Sequence, residues 1–96
     1  MIFTIYVTPP ALLDIDEALN YYNSKVADLG YKFADEVENS IQAILRNPYA
    51  FSERYKNTRA KLLNKFPYLV LFSINYEEQT IIVLRVFNTY QNPYWL

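Results

Sequence analysis

Three cations hold the clearest chemical potential in this sequence: Arg59 and Lys61, two residues apart, and Arg85, set in the apolar run Ile81-Ile82-Val83-Leu84-Arg85-Val86-Phe87. Side chains alternate across a β-strand, so Arg59 and Lys61 share one face of a strand predicted at 58–63, about 7 Å apart at a rise of roughly 3.3 Å per residue. Ala60 and Leu62 share the other face, which suits packing against helices. Arg85 interrupts an apolar strand, where a guanidinium needs a partner or solvent. Together the three could bind phosphate. Tyr90, Tyr94 and Trp95 of the last eight residues could stack on bases, which makes RNA the candidate ligand. A second interpretation stays open. Arg59 and Lys61 would be solvated charges that protect an exposed strand from association, with Arg85 paired to Glu77, Glu78 or Glu53. The aromatic tail likewise either caps the core or joins a partner interface.

The chain contains no His and no Cys. Acid–base chemistry near neutral pH therefore falls to Lys, Tyr or a carboxylate, and the commonest transition-metal ligands are missing, so neither metal nor cofactor is expected. Without disulfides or a charged-then-apolar leader, a cytoplasmic location is expected. The longest apolar runs, 68–72 and 81–84, fall far short of the roughly 20 residues that span a bilayer. The formal net charge is −1. It conceals an asymmetry: seven acids oppose Lys25 and Lys32 up to Leu45, whereas seven cations oppose three acids from Arg46 onward. Such a split fits a local anion-binding surface or ordinary solvated charge that happens to cluster.

Elements must position these residues. A chain of 96 residues, 52% hydrophobic and 18% aromatic, suits one domain over 1–96 with Tyr and Phe as much of its core. Residues 2–7 read as a strand stopped by Thr8-Pro9-Pro10, with Thr8 placed to cap a helix over 10–26 that accepts proline in its first turn. Asp14, Asp16 and Glu17 lie toward its positive end, and Leu12, Ile15, Leu19 and Tyr22 share a face. Leu29-Gly30 signals a turn, then Phe33, Val37, Ile41 and Ile44 mark a second helix that ends at Asn47-Pro48. Residues 49–57 lack a period and read as a loop. Strands follow at 58–63, 68–76 and 80–88, the last two joined across Glu77-Glu78-Gln79. The expected fold class is α+β, in the order β-α-α-β-β-β, with two antiparallel helices on a mainly antiparallel four-stranded sheet.

Several of these pieces occur in a recognisable order: Asp14-Ile15-Asp16-Glu17-Ala18 with Tyr21-Tyr22, Leu29-Gly30 with Phe33, Asn47-Pro48, Arg59, Phe66-Pro67-Tyr68, and Val86-Phe87-Asn88-Thr89 with Pro93 and Trp95. The pattern covers almost the whole chain and resembles the RelE/ParE toxins of type II toxin–antitoxin systems. The resemblance implies a toxin neutralised by a cognate antitoxin, as a hetero-oligomer or a homodimer. It implies either ribosome-dependent, metal-independent mRNA cleavage or inhibition of DNA gyrase without catalysis, with a non-toxic antitoxin-binding module as a further alternative. Cleavage by attack of the 2′-hydroxyl needs a proton acceptor, a proton donor and cations for the developing charge. By resemblance Lys61 would be the base, Arg59 and Arg85 the phosphate stabilisers and Tyr90 the acid. Tyr68, Asn88, Tyr94 and Trp95 would contact substrate. Tyr68 stands where nucleases of the RelE branch tend to carry Arg, and Asn88 where many relatives carry His.

Overall fold

The structure is a computed structural model that describes residues 2–91 of the 96. Strand β1 (Thr4–Val7) stops at the two prolines, and helix α1 (Pro9–Lys25) begins there. The Thr8 hydroxyl caps α1 by accepting the Ala11 N–H at 3.2 Å, and it donates to the Leu84 carbonyl at 3.0 Å. One side chain therefore starts the helix and ties it to the sheet. The first turn holds no acid. Asp14, Asp16 and Glu17 come later, so the helix dipole does not explain them. Ala11 and Ala18 carry α1 into the core, while Leu12 is 55% exposed and faces outward, contrary to the expected stripe.

The chain reverses at 26–28, where Asp28 adopts a left-handed φ of 66°, and helix α2 (Leu29–Arg46) follows directly. Leu29-Gly30 is thus the opening of α2 instead of a turn. Gly30 is needed for close approach: a Cβ there would press into the Leu19 carbonyl and lie 2.7 Å from Asn23 Cγ. Its N–H instead donates to Asn23 Oδ1 at 2.7 Å, locking the two helices together. Phe33, Val37, Ile41 and Ile44 are buried, as their spacing requires.

A short 3-10 turn (Pro48–Ala50) leads to β2 (Glu53–Tyr55), β3 (Thr58–Leu62), β4 (Tyr68–Asn75) and β5 (Thr80–Asn88). The sheet has five strands in the order β1-β5-β4-β3-β2, not four. The additional strand, β2, lies in the expected loop; its three exposed residues are too few to show an alternation. β1 runs parallel to β5, with Thr4 opposite Thr80, and the remaining pairs are antiparallel.

Both helices pack on one face of this sheet, over Val70, Phe72, Ile81, Val83 and Val86. Tyr22, Phe33, Phe66 and Tyr68 form an aromatic group within it, with ring centroids 4.9 to 6.1 Å apart in the contacting pairs. Leu69, Leu71 and Phe87 form a second cluster, with Ala60 against it. These alternate with the first set along β4, which places them on the opposite face. A bulge breaks the alternation of β5: Phe72 faces Val83 but Leu71 faces Arg85, which leaves Leu84 as an extra residue. Val86, instead of Arg85, then enters the core.

Candidate functional site

The register of β3 reverses the expected assignment of its faces. Arg59 is opposite Phe72 and Lys61 opposite Val70, so both cations lie on the side that carries the helices, while Ala60 joins the cluster on the other side. The expectation took apolar Ala60 and Leu62 for the helix-facing pair, yet Leu62 is 56% exposed. β3 lies two places from β5, the strand on which α1 packs, so the helix-side face at β3 is roofed by the 3-10 turn and Phe51.

Arg59 is held there. Its guanidinium donates to the Phe51 carbonyl at 2.7 Å, stands 5.7 Å from the centre of the Tyr49 ring and lies 3.7 Å from a Glu53 carboxylate oxygen. Lys61 Nζ donates to the Leu62 carbonyl at 3.1 Å and lies 6.0 Å from the Phe51 ring centre. Arg59 is thus engaged by its own surroundings, whereas Lys61 makes one exposed hydrogen bond to the carbonyl of the next residue.

Arg85 belongs to a different place. Its Nε donates to Asp14 Oδ2 at 2.6 Å and its NH2 group to Asp14 Oδ1 at 2.8 Å, a bidentate fork. The carboxylate it pairs with is therefore Asp14 of α1, and not Glu77, Glu78 or Glu53. Asp14 Oδ2 also accepts the Val86 N–H at 3.0 Å, next to the bulge. One carboxylate thus fastens α1 to the irregular part of β5. Sequence reasoning missed it by reading the acids of α1 only as partners of the positive end of the helix. The available signal was spacing: Asp14 follows buried Ala11 by three residues and precedes buried Ala18 by four, which places an acid on the buried stripe.

Beside this fork lies a cavity of about 240 Å³ between α1 and the end of β5. Arg85, Tyr68 and Asn88 line it together with Asp14, Glu17 and Tyr21. The structure therefore gathers three of the expected site residues, and separates them from Arg59 and Lys61, which do not line the cavity. Tyr68, opposite Asn88 in the sheet, is 8% exposed and packs its ring on Phe33 at 4.9 Å. Asn88 Oδ1 accepts the Tyr90 N–H at 2.9 Å. Tyr90 itself is 86% exposed, on the surface and not at the cavity. Tyr94 and Trp95 lie outside the described residues.

Burial raises the Tyr22 phenol above its ordinary value of 10.0, and the negative charge Tyr68 would carry, with the hydrogen bond between the two, adds to the rise. Tyr22 therefore acts as a neutral packing group. Among the described residues no cluster of acidic side chains is arranged to hold a metal ion. No described helix is long and apolar enough to cross a membrane.

The family model for the ParE toxin of type II toxin–antitoxin systems, parDE, matches residues 5–93. The chain belongs to the ParE toxin family. No curated protein sequence matches it at a significant level. Among solved structures, a chain of the chromosomal ParDE system from P. aeruginosa is similar, with a TM-score of 0.79 and 14% identity over 91% of this chain and 96% of that one. A chain of the RelBE2 toxin–antitoxin complex from Mycobacterium tuberculosis is similar with a TM-score of 0.59 and 17% identity, over 92% and 99% of the two chains. These likenesses show the fold. ParE membership agrees with the RelE/ParE resemblance carried by the sequence and makes the chain a toxin component of a type II system.

Proposed function

We propose that this ParE-family chain is a cytoplasmic toxin that acts by binding DNA gyrase instead of cutting RNA, and that a cognate antitoxin holds it inactive. The observation that carries this reading is the dispersal of the cationic residues. Cleavage at a phosphate needs an acceptor, a donor and cations around one atom group. Here Arg59 is engaged by the Phe51 carbonyl, Lys61 lies beside it on β3 away from the cavity, Arg85 is forked by Asp14, and Tyr90 stands on the surface. That arrangement supports a surface that docks over a site that cleaves.

The test is a supercoiling reaction with purified gyrase and the purified chain, run beside a translation reaction that monitors mRNA integrity. Supercoiling is expected to stop while the mRNA stays whole. Ribosome-dependent cleavage that disappears in the Arg59→Ala, Lys61→Ala double variant would reverse the assignment. Absence of growth arrest when the chain is expressed alone would reduce it to an antitoxin-binding module.

A further inference from the structure

We infer that the cavity between α1 and β5 receives a cationic side chain of a partner protein, an arginine or lysine carried on a helix with apolar residues one turn to either side. The charge of the lining sets the sign of the ligand. Asp14 and Arg85 neutralise one another through their two-point contact. Glu17, at the rim, forms no ion pair among the described residues and leaves the lining one negative charge in excess. An anion entering here would meet Glu17 directly, whereas a guanidinium would gain a carboxylate partner.

The remaining lining is mainly polar. Asn88 Oδ1, which accepts one hydrogen bond from Tyr90, keeps a second lone pair for a donor, while Lys25 Nζ stands 5.3 Å from the centre of the Tyr21 ring. The volume of about 240 Å³ accommodates one long side chain and not a folded segment.

The flanks indicate what carries that side chain. Leu13, Glu17 and Tyr21 are spaced by four along α1, and Leu13 and Tyr21 are 58% and 56% exposed. They form a ridge in which an acid sits between two apolar groups, each about one helical turn away. A helix bearing leucine, arginine and leucine at the same spacing complements that ridge in charge and in apolar contact. The acid excess of the first 45 residues extends the attraction beyond the cavity. The charge of the cavity is the same whether the chain acts on gyrase or on RNA, so the two readings fail separately.

The test uses the whole isotopically labelled chain, a synthetic helical peptide with leucine, arginine and leucine four residues apart, the same peptide with norleucine for arginine, and inorganic phosphate. The arginine peptide is expected to shift the amide resonances of Glu17, Tyr21 and Asn88 saturably. Affinity should fall about tenfold with norleucine and about fivefold in the Glu17→Gln chain, a surface change that leaves the fold intact. Equal affinity for the norleucine peptide, indifference to Glu17→Gln, or saturable binding of phosphate at the same amides would each overturn the assignment.

Discussion

Asp14 does three things with two oxygens: it meets both arms of Arg85 and accepts the Val86 N–H. Its side chain is only 13% exposed, whereas that of Arg85 is 42% exposed, so the acid stands to lose more from a missing partner than the base does. Asp14→Ala should therefore destabilise the fold by about 2 kcal/mol, and Asp14→Asn by less, because an amide oxygen still accepts from Val86. Urea denaturation of the two variants measures the difference. Tyr22 gives a second residue-scale expectation, in alkali. Its folded phenol holds the proton above the ordinary 10.0, so in that window the unfolded chain binds fewer protons and stability falls as pH rises. Below pH 10 the group contributes no pH dependence. Tyr22→Phe should flatten the loss of stability as pH rises above the ordinary 10.0, read from denaturation midpoints; an unchanged slope would assign the loss to other groups.

Among the elements, those legible in the sequence were the ones whose signals are local. Thr8-Pro9-Pro10 states a strand end and a helix start within three residues, and Phe33, Val37, Ile41 and Ile44 repeat often enough to name a buried face. β2 was not legible, because it exists only through its pairing with β3, Glu53 against Arg59, and its own residues carry no period. The bulge at Leu84 was hidden for the same reason: one inserted residue is visible only against a partner strand, and it decides that Val86 is buried and Arg85 is free to reach α1. Gly30 was legible as special but for the wrong cause, a turn instead of a crossing. Gly30→Ala should cost about 3 kcal/mol by forcing α1 and α2 apart. Thermal melting checks it. A variant as stable as the parent would mean that the helices can slide without loss.

Over the whole molecule, the charge asymmetry read from the sequence takes on a spatial meaning. The acid-rich first 45 residues become β1 and nearly all of the helical layer, and the cation-rich remainder becomes the rest of the sheet. That layering is attractive within the fold, and Asp14 with Arg85 is its shortest link. The sequence could not show that Arg59 and Lys61 turn toward the helix side of β3, since alternation separates two faces without saying which is covered. Nor could it pair Arg85 with a residue 71 positions away. The sequence therefore singled out these residues by type and spacing but could not name their neighbours.

The position of β1 also has a consequence in time. Its Thr4 joins Thr80 across a separation of 76 residues, on the one strand that completes the sheet. At synthesis rates of about 5–20 residues per second, the first strand waits roughly 4 to 15 s for its partner to be made. During that interval the two helices, whose contacts are local, can already form. The sheet on which Asp14 meets Arg85 cannot. The cavity at the α1–β5 junction is thus among the last features of the chain to appear, since a chain whose synthesis has not yet reached β5 lacks one of its two walls.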